Sequence, residues 1–336
     1  MTGSMWPIKG KSRAKRLLWG AEQNQLSWTF MKMLREGNRT CRVYDINPYV
    51  EVYQFRDNLY AIFNQNNDHA GDVWMYLLIG GERAMVVDTG CGLGNQRGLI
   101  EQLLGGMPYV VVNTHLGPDH SFGNIQYDTV YCHEYEVDNI KGRVKPGMWD
   151  FLFDENGNNI WLDFPKEELP PYRDYELIGL PNHYVFDLGG GHEVELIWTG
   201  GHAAGHAMYL AKKDRLIFAG DDVCSDVIGC GPGPRAGMFY QEYGNIETYR
   251  DNLIGIVERL DEFDAIFPGH FMLDLESRLF LDILDTLNAI LADPMGYDYC
   301  EEDTRADGTK VLRGYKYVRG FGTVGYNPIT GVYRPR

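Results

Sequence analysis

The apolar positions gather early into four strand-like runs, Val50 to Phe55, Leu59 to Phe63, Val73 to Ile79 and Ala84 to Asp88, separated by polar or glycine-containing turns. The forty-five residues before them are mixed basic and polar, with one amphipathic stretch near Leu26 to Leu34. They read as an extension or a helix capping the domain. The period then changes: Leu93, Gln96, Ile100, Leu103 and Leu104 fall at helical spacing, and Tyr109 to Asn113 follows as a short apolar strand. Strand, helix and strand in that order predict a βαβ unit.

A strand at Thr129 to Cys132 and a helix at His133 to Lys141 come next, and then periodicity is lost over residues 142–183. Trp149, Phe151, Phe153, Trp161 and Tyr172 stand there among Pro, Gly, Asn and acids. A stretch of that length is too long for a connector, so it reads as an insertion or lid facing substrate, or else an aromatic-anchored surface loop. The second half repeats the first: strands at Tyr184 to Asp187, His192 to Trp198, Ala207 to Ala211 and Leu216 to Ala219, a helix at Ile246 to Leu260, a strand at Ala265 to Phe267 and an amphipathic helix at Leu273 to Leu291. Two such halves predict two mixed sheets packed face to face with helices outside. The segment 292–336 is rich in Tyr and Gly, with strand character at Thr309 to Val318. Nothing marks a second domain or a short-period repeat.

Composition narrows the class. With 44% apolar and 13% aromatic residues over 336 positions the chain has ample material for a core, which excludes disorder of the whole. Its 31 basic against 47 acidic residues give a net charge of −16, a field that repels polyanions and disfavours nucleic acid as a partner. The six cysteines form no CxxC pairs and fit reduced, cytoplasmic thiols better than a disulfide scaffold or thiolate zinc finger. The basic run Lys9 to Arg16 is followed only by Leu17, Leu18 and Trp19, too short for a secretory core, and reads as a solvated arm. No apolar stretch reaches the roughly 18 residues of a membrane span.

The chemistry lies in four polar clusters, each directly after a predicted strand. They are Asn113-Thr114-His115-Leu116-Gly117-Pro118-Asp119-His120, Thr199-Gly200-Gly201-His202-Ala203-Ala204-Gly205-His206, Gly220-Asp221-Asp222 and Pro268-Gly269-His270. Five of the nine histidines are in these loops. Ligands in layered α/β folds collect beyond the carboxyl ends of strands, so the four loops can meet at one point. Imidazole with carboxylate suits zinc, iron or manganese, and the glycines let backbone crowd the centre.

The order Asp88-Thr89-Gly90, His115 to His120, Gly201-His202, Gly220-Asp221 and Pro268-Gly269-His270 resembles the metallo-β-lactamase superfamily over roughly residues 50–275. The resemblance implies a four-layer αββα sandwich of mixed α/β class. It also implies a one- or two-metal site with His115, Asp119, His120, His202, Asp221 and His270 as ligands. Asp221 would bridge two ions, and Asp88 would hold the site from behind. The expected organisation is an extension at 1–45, the metallo-β-lactamase-like domain at 46–291 with its aromatic insertion at 142–183, and an extension at 292–336 packing on that domain.

One position departs from the family's His-x-His-x-Asp-His pattern: Gly117 stands where the second His belongs. The Asp119, His120 and His270 side of the site is therefore complete, while the side of His115 and His202 is one ligand short. His69 is the first candidate to substitute, with Cys224, Asp222, His183 and His206 after it, and Cys91 is read as a buried thiol. The implied activity is metal-dependent hydrolysis of an ester, lactone, thioester or amide in a small molecule, with Asp119 and Asp221 catalytic and zinc the expected metal. The alternatives are a mononuclear iron oxidoreductase of the sulfur dioxygenase kind and a non-catalytic metal-binding protein. The terminal extensions leave a homo-oligomer open.

Overall fold

The computed structural model describes residues 39–64, 73–160, 162–304 and 308–335, with a few positions between 15 and 37. His69, Trp161 and most of the stretch Leu26 to Leu34 lie outside the described residues.

Period-two alternation sorts the strand side chains onto two faces. In the strand Val73–Ile79, Trp74, Tyr76 and Leu78 enter one core, while Met75 and Leu77 enter another. In Leu216–Cys224, Leu216 and Phe218 share the core of Trp74 and Tyr76, whereas Ile217 and Ala219 point the other way. The shared core therefore lies between two sheets. The outer face of the first sheet is covered by Leu99 and Ile100 of the helix Gln96–Leu104, and that of the second by helices Ile246–Val257 and Leu279–Ala292. The result is the four-layer αββα sandwich. Tyr76, Phe218 and Phe267 interlock at ring-centroid distances of 5.0–6.2 Å at its centre. Each fully buried ring of this kind contributes about 1.5–3 kcal/mol.

The first sheet runs Glu176–Leu180, Thr129–His133, Tyr109–Val112, Ala84–Val87, Val73–Ile79, Leu59–Asn64 and Asn47–Arg56. The second runs Ala265–His270, Leu216–Cys224, Ala207–Ala211, Glu193–Trp198 and Val185–Asp187. A pairing of His270 with Val73 joins them at one corner. Two parallel pairs, Ala84–Val87 with Tyr109–Val112 and Leu216–Cys224 with Ala265–His270, enclose the helices Gln96–Leu104 and Ile246–Val257 between their strands. The predicted α/β crossovers are these.

Several elements differ from the sequence expectation. Within the aperiodic stretch, Glu176–Leu180 forms a strand parallel to Thr129–His133. The helix expected from Leu273 starts at Leu279, because Leu275–Glu276 pairs with Ala265 and Ile266 instead and Asp274 sits at a left-handed φ of 57°. The helix expected from His133 begins as a 3-10 turn, Glu134–Glu136, and becomes α-helical only over Val137–Arg143. Asn95 starts the helix Gln96–Leu104 by accepting the Gly98 N–H at 2.8 Å, three residues later than Leu93. Near the C-terminus, Tyr299–Thr304, Lys310–Tyr317 and Thr323–Tyr326 build a separate sheet whose edge is the mid-chain strand Val227–Gly229.

Candidate metal centre

The first loop follows Tyr109–Val112 and is pinned by Asp88, a buried residue at a left-handed φ of 62° just beyond Ala84–Val87. Its carboxylate accepts the Thr114 N–H at 2.7 Å, the Thr114 hydroxyl at 2.8 Å and His120 Nδ1 at 2.8 Å. Because the Thr114 proton goes to Asp88, its oxygen is left to accept from His115 Nδ1 at 3.0 Å. Both histidines thus turn Nε2 inward. Pro118 opens the short helix Pro118–Ser121, where its missing N–H costs nothing, and Asp119 and His120 lie in that turn.

The other three loops bring their groups to the same point. His202 donates Nδ1–H to the Gly229 carbonyl at 2.6 Å, which also turns its Nε2 inward. Asp221 Oδ1 lies 3.2 Å from His120 Nε2, and Asp221 Oδ2 lies 3.5 Å from His270 Nε2 and 3.7 Å from both His115 Nε2 and His202 Nε2. Asp119 Oδ2 is 3.2 Å from His270 Nε2 and 3.7 Å from His120 Nε2. All six residues singled out by the sequence are brought together. Five of them fall into two overlapping triads with ligand-capable spacing, His115, His120 and Asp221, and Asp119, His120 and His270, with His202 outside both.

Packing around the centre is tight. A Cβ on Gly269 would sit 2.5 Å from Asp221 Oδ1, and one on Gly117 only 2.7 Å from His115 Nε2 and 2.9 Å from Asp119 Oδ1. Gly117 has a φ of −48° that any residue can adopt, so space and not backbone conformation selects glycine there.

These groups fit a cation. Asp221 Oδ1 is buried without a hydrogen-bond donor, and ring nitrogens of His120 and His270 face one another at 3.3 Å. Burial alone would suppress charge on these two imidazoles, but the carboxylates of Asp221 and Asp119, joined for His120 by Asp88, outweigh it and raise both well above the ordinary histidine range. His115 goes the other way, held well below that range by burial and by the charge of His120. Imidazoles and carboxylates gathered in this way are a donor set that could hold a divalent cation, whose binding would displace the protons.

Of the described candidates for the missing ligand, Asp222, His206 and His183 are engaged with other partners. Asp222 pairs with His206 Nδ1 at 2.9 Å, and His206 Nε2 accepts the Asp221 N–H at 3.1 Å, so this buried pair supports Asp221 from behind. His183 is exposed and pairs with Glu195. Cys224 lies along the cavity wall with its thiol pushed up to about 11 by burial. Cys91 is buried. Thr114 stands next to His115, but residue type alone gives no sign of its bracing part. The same holds for Glu136, whose buried carboxylate accepts the Leu116 N–H at 3.1 Å and braces the first loop. Its signal is long-range, since Glu136 lies on a different turn.

The centre forms the floor of a cavity of about 830 Å³, a size suited to a small-molecule substrate. Among the described residues, no helix is long and apolar enough to cross a membrane.

A family profile described as "Metallo-beta-lactamase superfamily" matches residues 69–270. The chain is 24% identical over 263 residues to the acyl-coenzyme A thioesterase MBLAC2 of Bos taurus, an alignment covering 68% of this chain and 81% of that protein. It is 31% identical over 123 residues to the hydroxyacylglutathione hydrolase of Rhizobium meliloti (strain 1021), covering 37% of this chain and 42% of that protein. Among solved structures, a metallo-beta-lactamase from Pontibacter korlensis is similar in fold, with a TM-score of 0.50 at 16% identity over 71% of this chain and 99% of that one.

Proposed function

The chain belongs to the metallo-beta-lactamase superfamily and is a hydrolase of that fold, and from that premise we propose that it cleaves an acyl thioester of a small molecule, using Asp119, Asp221 and a zinc ion. The observation that carries this reading is the convergence of His115, Asp119, His202, Asp221 and His270 on one cavity, with the buried His120 directly behind them. A divalent cation held by these groups would lower the pKa of a water from 15.7 to about 7 and polarise the carbonyl oxygen under attack.

The protein's own groups do the rest. Asp88, Thr114 and the Gly229 carbonyl fix which nitrogen each of His120, His115 and His202 presents. Asp119, buried beside His270 and His120, is placed to orient the attacking water and to take its proton. Asp221 lies between the two histidine groups and is the carboxylate able to serve both.

The choice of bond follows from the leaving group. A thiol has a pKa near 8.5 and departs as thiolate with little help, whereas an amine must be protonated as it leaves. Among the described residues, the centre offers imidazoles and carboxylates already turned to one another. Two relatives bear names that describe an acyl group on a thiol carrier, acyl-coenzyme A in one and acylglutathione in the other. The test is release of the carboxylic acid from a matched set of ester, lactone, thioester and amide substrates by zinc-loaded protein. Thioester cleavage fastest in the set is the expected result, and stoichiometric zinc binding with no cleavage of any member contradicts the proposal.

A further inference from the structure

The C-terminal sheet enters the active site. Its edge strand Val227–Gly229 is parallel to Thr323–Tyr326, the Gly325 carbonyl accepts the Cys230 N–H at 2.9 Å, and the Gly229 carbonyl on that edge holds His202 Nδ1. The neighbouring strand Lys310–Tyr317 supplies Val311, Leu312 and Arg313 to the cavity wall.

Three cations stand on this lining, each from a different element: Arg143 at the end of Val137–Arg143, Arg235 in the loop after Val227–Gly229, and Arg313. Among the described lining residues, Asp226 is the one carboxylate besides Asp119 and Asp221. Two of those three carboxylates belong to the metal centre, so the wall beyond the centre carries three arginines against Asp226 alone, in a chain whose net charge is −16. Arg313 is held in place: its guanidinium lies 5.2 Å over the Tyr315 ring, and its Nε and Nη2 sit 3.2 and 3.3 Å from where a Cβ on Gly325 would be. A stacked, planar guanidinium is a preorganised partner for carboxylate or phosphate.

We propose that the C-terminal sheet is the anion-recognising wall of the active site, with Arg313 as its specificity residue and Arg235 and Arg143 at the rim, and that the substrate's thiol carrier is anionic. Leu312, Val311 and Met238 supply apolar surface beside the arginines. This rests on the thioester reading above for its choice of probes, while the anion site itself follows from the cavity wall.

The experiment compares one acyl group on three carriers: coenzyme A, which bears phosphates, glutathione, which bears carboxylates, and neutral N-acetylcysteamine. Expected is a kcat/KM for one anionic carrier at least about tenfold above that for the neutral one, a ratio that collapses in Arg313→Gln and partly returns in Arg313→Lys. The preferred carrier identifies the anion as phosphate or carboxylate. Equal kcat/KM on all three, or a ratio unchanged in Arg313→Gln and in Arg235→Gln while the rate on the neutral carrier is kept, overturns the proposal; a misfolded variant is recognised by the loss of the rate on the neutral carrier as well. Calorimetric binding of free coenzyme A and glutathione separates the two readings. Binding weakened by Arg313→Gln in a protein that cleaves none of the thioesters supports the anion wall and rejects the thioesterase, and no binding of either carrier without turnover rejects both.

Discussion

His120 Nδ1 lies 2.8 Å from Asp88 Oδ2, and the same carboxylate takes both the N–H and the hydroxyl of Thr114. One buried side chain therefore sets the ring orientation of His120 directly and of His115 through Thr114. Asp88→Asn keeps the volume but cannot accept at every one of these contacts. Zinc affinity measured by calorimetry is expected to fall about 10–100-fold. An unchanged affinity would mean that packing alone orients the rings.

Gly117→Ala adds a single methyl that would meet His115 Nε2 at 2.7 Å. The backbone there tolerates alanine, so the fold is expected to survive, as judged by circular dichroism. A displacement near 1 Å at a reacting centre costs about 10²-fold in rate, and kcat/KM is expected to drop on that scale. Activity within twofold of the parent would place His115 outside the working site.

Glu136 gives a pH signature. Burial raises its carboxyl to about 7, against the opposing hydrogen bonds from Asn139 and the Leu116 and Gly205 amides. An acid whose pKa is raised on folding stabilises the fold fully below its unfolded value near 4.5, and that contribution disappears as pH rises through about 7. By linkage the difference amounts to about 3 kcal/mol. Denaturant unfolding of wild type and Glu136→Gln between pH 4.5 and 7.5 should therefore diverge, with wild type losing stability relative to the variant as pH increases. Parallel curves would mean that Glu136 is ionised at low pH in the fold.

Metal removal is expected to destabilise the protein by mass action. A ligand at 1,000 times its Kd contributes about 4 kcal/mol, so the melting temperature should rise with added zinc in the micromolar range and fall with chelator. A melting temperature indifferent to both would separate the fold from the metal.

The legible parts of the fold are those in which local pattern and burial agree. Val73–Ile79 and Ala207–Ala211 are apolar strands packed on both faces, and their limits follow from the run itself. Glu176–Leu180 is an edge strand interrupted by Gly179 and followed by Pro181, and only its pairing with Thr129–His133 makes it a strand. Val227–Gly229 is three residues long and pairs with Thr323–Gly325, nearly a hundred positions away, a register no local pattern carries. Helix Leu279–Ala292 starts late because Leu275, apolar and at helical spacing, is used in a strand pair. The site was more legible than the fold, since its ligands fall in glycine-flanked runs at or near strand ends, although Asp221 and His270 lie within the strands Leu216–Cys224 and Ala265–His270. Thr114 and Glu136 were missed as bracing groups because hydrogen bonding in three dimensions, not residue type, gives them their part.

The most direct test of the metal centre is anomalous X-ray scattering at the zinc and iron edges from crystals of protein purified without added metal. A peak within roughly 2.0–2.2 Å of the nitrogens and oxygens of His120, His270, Asp119 and Asp221 is the expected result, and its position relative to Gly117 and His115 reports whether a second ion is held. The absence of any peak among these side chains after soaking with zinc, with the six groups in the arrangement described, would contradict a metal-dependent hydrolase.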